Sequence, residues 1–358
     1  MKLFSINAVK TQACVASLFA AMAFTSCDDG HPVFDYEGDC DPHYYVQFVY
    51  DMNMEWHDTF GSNVNSVKLY VFDPATGELV DVYTENDVAT LSTPGYKMPV
   101  DLQPGEYEFV AWCGLENNKK NLFRLQDNIT LREHLNCRME RQYEGENAFQ
   151  DEQLHAVFHG KVTEELVDEE GDHIVTVPLI KDTNNIVLSL QHVSGEPLTK
   201  DMFTVTMSES NGHLAHDNSL KQDESIEYRP WHLRAGSVDI SGSRADDDAN
   251  GDNLNYFMAE LSTSRLMKDR DTRINIMDNA TGNIVYSIPI VKWVNAFRSQ
   301  QYNDINNNIH VITDDQEYLD RQSNYELMLY LDNGEEGWLA AEIYINSWRV
   351  VLQESELK

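Results

Sequence analysis

The sequence predicts an all-β protein built as two β-sandwich domains in tandem, and three observations lead there. Apolar side chains recur with period two along short runs, as at Tyr44, Val46, Phe48 and Tyr50, which places them on one face of a strand. Turn residues (Gly, Pro, Asn, Asp) punctuate those runs at the short spacing of antiparallel sheets. Two such series of similar length follow one another, with the change near Lys181, so residues 40–180 and 181–358 are expected to form one sandwich each.

Taken in order, the first series opens at Cys40 with YYVQFVY. SVKLYVF and ELVDVYTE then flank Asp73-Pro74-Ala75-Thr76-Gly77, where Pro presets a turn φ and Gly supplies the positive φ that closes a hairpin. Pro104-Gly105 turns the chain into the alternating run Tyr107, Phe109, Ala111, Cys113, and residues 154–167 and 173–180 give two more strands. The second series begins with NNIVLSLQHV and continues with MFTVTMSES, closed by Asn211-Gly212, and with NYFMAELST. A hairpin around Asp278–Gly282 follows, and strands flank an Asp332-Asn333-Gly334 turn at the end. The segment Ala341–Leu352 reads as one strand with Tyr344, Asn346, Trp348, Val350 and Leu352 on one face, either interior or partner-contacting. Helix is expected only at Asn128–Arg138, Trp293–Gln301 and Asp315–Gln322, the last with Thr313 or Asp314 as N-cap.

The N-terminus carries a different pattern. Lys2 and Lys10 precede an uncharged apolar core from Ala13 to Phe24, then Thr25-Ser26-Cys27, the layout of a secretory signal. The core is shorter than the roughly 20 residues a spanning helix needs. A Cys after small residues at such a site resembles the lipobox of bacterial lipoproteins. On that reading residues 1–26 are removed between Ser26 and Cys27, Cys27 is acylated, and lipid is the membrane attachment. Residues 27–39, acidic and containing Gly and Pro, would be a spacer between lipid and fold.

The 358 residues carry a formal charge of −34, which becomes −36 (24 basic against 60 acidic) once residues 1–26 leave. A surface this acidic repels phosphate backbones, which excludes nucleic acid as a partner. Removal of Cys14 and acylation of Cys27 leave Cys40, Cys113 and Cys137, enough for one disulfide with three possible pairings.

Motifs for catalysis or metal binding do not assemble. His155 and His159 lie in a strand-like segment, where a separation of four residues spreads ligands apart. His213 and His216 have no partner at zinc-ligand spacing. Asp246-Asp247-Asp248-Ala249-Asn250-Gly251 opens like a calcium loop, but Phe257 stands at the twelfth position where a bidentate Glu is required, which leaves at most a weak site at Asp246–Asn250. No nucleophile elbow, H-E-x-x-H, Walker loop or dinucleotide fingerprint is present, so neither catalysis nor a cofactor is expected. The six tryptophans (Trp56, Trp112, Trp231, Trp293, Trp338 and Trp348) suit either a core or a sugar platform.

Taken together, the lipobox, Cys40 with YYVQFVYDMNMEWHDTFGSNV, VKLYVFDPATGELV, GYKMPVDLQPGEYEFVAWCGL, KDTNNIVLSLQHVSGEPL, FTVTMSESNG and IYINSWRVV resemble the FimB-type fimbrial anchor and assembly lipoproteins of the Bacteroidales. Cys113 departs from the Gly or Ala expected there. The resemblance implies two transthyretin-like, Greek-key sandwiches and a non-enzymatic fimbrial (pilus) subunit of the cell surface. It also implies palmitate-type acylation at Cys27, attachment to the outer membrane, and β-strand addition to fimbrial shaft or accessory subunits. The alternative is a surface glycan-binding lipoprotein, which would share the sandwiches and the acidity.

Overall fold

The computed structural model describes residues 41–116, 120–239, 253–299, 301–334, 337–346 and 348–350. By contact, residues 43–168 and 172–358 belong to one compact unit. The chain is all-β. Among the described residues the strands form a seven-stranded sheet, two six-stranded sheets, and smaller sheets of three and two strands.

The seven-stranded sheet runs in the order Leu79–Glu85, Val67–Phe72, Gly105–Cys113, Phe158–Leu166, Gly171–Lys181, Pro42–Val49, Met98–Val100. Its period-two sequence gives it two apolar faces. Leu69, Val71, Phe109 and Ala111 join Tyr44, Val46 and Phe48 in one core, capped by Phe60 and Leu91 from the short helices Phe60–Asn63 and Val88–Leu91. Tyr70, Phe72, Val110 and Trp112, one residue out of phase, belong to a second core shared with residues 186–345.

Two six-stranded sheets supply most of that second core. One runs His232–Asp239, Asn253–Ser264, Thr183–His192, Asn324–Gly334, Gly337–Ile345, Trp348–Val350. The other runs Ile284–Pro289, Arg273–Asp278, Phe203–Glu209, Ile226–Tyr228, Asn147–Gln150, Gln142–Glu144. Backbone pairing changes sheet between Lys181 and Thr183, where the sequence series changes, but residues 142–150 from the first series pair within the second set of strands. The division at Lys181 is therefore a proposal about where the chain changes sheet.

The two Asp-centred hairpins form as the sequence predicts. Asp73 Oδ1 accepts the amides of Ala75 (2.8 Å) and Thr76 (3.1 Å), and Gly77 at φ +72° donates to Asp73 O. At Asp278, Oδ1 accepts the amide of Ala280 (3.0 Å), Oδ2 accepts the Thr281 hydroxyl (2.8 Å), and Gly282, also at φ +72°, donates to Asp278 O. The helix Asp315–Arg321 is capped by Asp314, whose Oδ1 accepts the amides of Gln316 and Glu317.

Three expectations change. Asn128–Arg138 is not a helix: it holds a 3-10 turn at Arg132–His134 and then the strand Asn136–Met139. Leu135, Cys137 and Met139 alternate into the core, and that period-two burial outweighs local helix propensity. The helix expected at Trp293–Gln301 spans Ile290–Phe297, beginning directly after Pro289 with Ile290, Val291, Trp293 and Val294 buried. The segment Ala341–Leu352 is not one strand. Asn346 adopts φ +45°, and Trp348–Val350 folds back antiparallel on Ile343–Ile345.

Candidate interaction surfaces

The signal residues, Ser26, Cys27, Cys40 and the Asp246–Asn250 loop lie outside the described residues. Cys113 and Cys137 carry free thiols that are fully buried, so of the three pairings the one between them is not made. They face different cores, which keeps them apart, and burial raises both thiol pKa values, most of all by removing water from the thiolate.

His159 and His213 are held by contacts within the fold. His155 precedes the Phe158–Leu166 strand, whereas His159 is buried in it, with Nε2 2.9 Å from the carbonyl of His216 and its ring edge-on to Trp112. Burial lowers the His159 pKa to about 4, so the ring is neutral and donates to that carbonyl. His213 Nε2 lies 3.0 Å from Asn136 Oδ1. Among the described residues no three His, Cys, Asp or Glu side chains gather into a metal site. Trp112 and Trp293 are core, Trp338 packs edge-on against Phe203, and the side chain of Trp348 lies outside what is described.

What remains for a binding role is sheet edge and exposed face. The Leu79–Glu85 edge is guarded by the carboxylates of Asp81 and Glu85, which discourage pairing with another chain. In one six-stranded sheet Gly337–Ile345 pairs with Asn324–Gly334 on one side and, through Ile343–Ile345, with Trp348–Val350 on the other; among the described residues no strand pairs with Gly337–Glu342 on that second side. On the outer face beside that edge, register sets Met258, Ser189, Met328 and Tyr344 in one row across four strands, all half-buried. They line a depression of about 360 Å³ together with Val187 and Glu326.

A second surface was not foreseen from the sequence. The two-stranded sheet Gln301–Asn303 with Ile309–Val311 is held from beneath by an aromatic stack: His310 lies 4.0 Å from Trp56, with ring planes 10° apart. The Arg321 guanidinium lies 3.8 Å from the Trp56 ring and donates to Asp51 O at 2.9 Å. Trp56 takes φ +57°, a conformation that a bulky residue adopts only where packing compels it. The signal that could have found this surface was an almost uncharged stretch, residues 299–313, in a strongly acidic chain.

No curated protein matches the chain significantly. Among solved structures, a Bacteroides thetaiotaomicron protein provisionally described as polysaccharide-binding is 29% identical, with a TM-score of 0.69, covering 88% of this chain and 100% of its own. A second protein of that organism, provisionally described as an adhesin, is 26% identical over 88% of this chain and all of its own, with a TM-score of 0.71. The fimbrial anchor protein Mfa2 of Porphyromonas gingivalis shares the fold at 15% identity, with a TM-score of 0.61, over 87% of this chain and 99% of its own. The family model for the fimbrillin-A associated anchor proteins Mfa1 and Mfa2 matches residues 36–354. That match spans both series of strands and every surface described above, and the chain belongs to the fimbrillin-A associated anchor family.

Proposed function

We propose that this chain is a lipid-anchored, non-enzymatic fimbrial subunit that holds or limits a fimbria at the outer-membrane surface. Membership of the anchor family over residues 36–354 is the observation that carries the fimbrial part. The lipid part rests on Lys2, Lys10, the apolar core to Phe24 and the small residues before Cys27. Shaft or accessory subunits would bind by adding a strand to an exposed edge, where main-chain hydrogen bonds give affinity and pockets for alternate side chains give selectivity.

Cys27→Ser is the direct test. It should leave the fold intact, abolish labelling by a palmitate analogue and move the protein from the outer-membrane pellet to the soluble fraction, since no helix among the described residues is long and apolar enough to cross a membrane. Retention of the variant in a salt-washed pellet would defeat the lipid anchor. Loss of surface fimbriae in cells making the variant, with the fimbriae shed into the medium, is the expected phenotype.

A glycan-binding role is the second reading. It is favoured by a groove of about 720 Å³ on the outer face of the Phe203–Glu209 sheet, where Thr204, Thr206, Asn275 and Asn279 present hydroxyls and amides. Retention on surface polysaccharide, lost in Asn275→Ala with unchanged melting, would support it.

A further inference from the structure

The hairpin Gln301–Val311 turns an uncharged face outward, on which Ile309 and Val311 sit opposite the amide side chains of Asn303 and Gln301. Register pairs Gln301 with Val311, Tyr302 with His310 and Asn303 with Ile309, so the alternate residues Tyr302 and His310 face inward and the others outward. Ile305 at the tip is 75% exposed and Ile309 is 65% exposed, the two most exposed large apolar side chains among the described residues; Val311 is 56% exposed. Residues 299–313 (SQQYNDINNNIHVIT) contain no Lys or Arg and one acid, Asp304. That acid is turned inward on its own loop. Its Oδ1 accepts the amides of Asn306 and Asn308, both at 2.8 Å, and its Oδ2 accepts from Asn308 Nδ2 at 2.8 Å and lies 3.2 Å from His310 Nε2. The inner side is fixed by the stacks of His310 on Trp56 and of Tyr302 on Tyr318. The outward trio is thus preorganised, and little ordering entropy is left to lose on binding.

The surroundings select what this face meets. An anionic bilayer is disfavoured: the hairpin has no basic or Trp anchor, and a chain of charge −34 is repelled by such a surface. A second copy is disfavoured because it carries the same charge of −34. A basic protein surface is instead drawn to the chain by its field, and the neutral hairpin is where apolar contact can form without desolvating carboxylates.

We propose that Ile305, Ile309 and Val311 form a docking plug for a fimbrial subunit that presents an apolar recess with a basic rim. The proposal rests on the fimbrial reading above and adds a contact separate from the C-terminal sheet edge.

The test uses the full-chain lipoprotein in detergent and purified fimbriae sheared from the same bacterium. The double variant Ile305→Ser/Ile309→Ser should melt within about one degree of the parent, because both side chains are exposed, and should bind fimbriae at least tenfold more weakly. Ile284→Ser, on another edge and 59% exposed, should bind as the parent does. Raising salt should slow association of the parent and of both variants alike, the mark of charge steering by the whole chain. Unchanged binding by the double variant overturns the plug while leaving the fimbrial reading in place. No binding by the parent overturns both. Salt-independent association removes the basic rim, and hairpin-dependent binding of the Cys27→Ser protein to phosphatidylglycerol vesicles replaces the protein partner with lipid.

Discussion

Asp182 marks the point where the chain leaves the seven-stranded sheet, and it is fully buried. Its Oδ1 accepts from Asn218 Nδ2 at 2.8 Å, while Asp320, nearby, is held by a two-point pair with Arg265 at 2.9 and 2.8 Å. Burial raises the Asp182 pKa to about 7, opposed by Arg265 and Asn218. A carboxyl whose folded pKa lies above its unfolded value near 3.8 keeps its proton longer in the fold, so its contribution is present below pH 3.8–4 and is lost as pH rises toward 7. His159 works in the opposite sense. Its folded pKa near 4 lies below the free value of 6.5, so its contribution is full above pH 6.5 and is lost as pH falls toward 4. Asp182→Asn should therefore raise stability at pH 8, by at most about 4 kcal/mol for a shift of roughly three pKa units. It should also leave a stability that climbs between pH 4 and 6.5, which urea titration at stepped pH would reveal. A variant less stable than the parent at pH 8 would mean that the Asp182 charge is needed by Arg265. Neither residue announced this in the sequence, since a lone Asp after Lys and a lone His in a strand look like surface groups until burial is known. The proposed lipid site at Cys27 is the reverse case, since a signal-peptide pattern is read along the chain without reference to a fold.

At the scale of elements, what was legible was what is local. DPATG and DNATG were read as hairpin turns because Asp, Thr and Gly set the backbone through contacts within five residues, and both close in the same way. Asp314 before its helix belongs to the same class. The misreadings came where distant packing decided. Leu135, Cys137 and Met139 are strand because a core receives alternate residues, and Asn346 turns the last strand back through a φ of +45°. Glycine substitutions separate local from long-range cost. Gly77→Ala and Gly282→Ala place an added Cβ no closer than 3.8 Å to anything, so each should cost only the left-handed strain, about 1–2 kcal/mol. Gly114→Ala combines φ +87° with a Cβ 2.3 Å from the carbonyl oxygen of Ala156 in the neighbouring chain segment, and should cost clearly more than either turn variant. Urea midpoints of the three variants, measured together, give the ranking; equal losses would show that the backbone at Gly114 moves freely. Asn346→Ala should also lose stability, by about 1–2 kcal/mol, because its side chain accepts the Glu326 amide at 2.9 Å while its backbone is left-handed.

For the molecule as a whole, the two series of strands suggest two folding units, and the packing argues for interdependence. The strand Ile226–Tyr228 lies between Phe203–Glu209 and Asn147–Gln150, so a chain beginning at 181 would lose the parallel neighbour of that strand. It would also lose Arg141, which is 2% exposed and lies 2.8 Å from Asp223, itself 1% exposed. Removing one member of a buried pair leaves the other charge unmatched, at a cost of about 3–5 kcal/mol. Tyr70, Phe72, Val110 and Trp112 would be missing from the core of the second series as well. Those losses together exceed a marginal share of a domain's usual 5–15 kcal/mol. Residues 181–358 expressed alone should therefore be unfolded or aggregated, and the chain from residue 28 onward should melt in a single transition. Calorimetry and circular dichroism on that species would settle the matter, with equal calorimetric and van't Hoff enthalpies as the signature of one cooperative unit. A stable, dispersed 181–358 fragment, or two separated transitions, would mean that the strands at 142–150 are an accessory to the second sandwich and that Lys181 divides two independent domains. On the proposed function, with the N-terminus held at the membrane and partners on the second half, the chain would have a physical reason to fold as one. A pull between the two must then break the shared core rather than a linker, and forced unfolding follows the unfolding barrier of the whole unit.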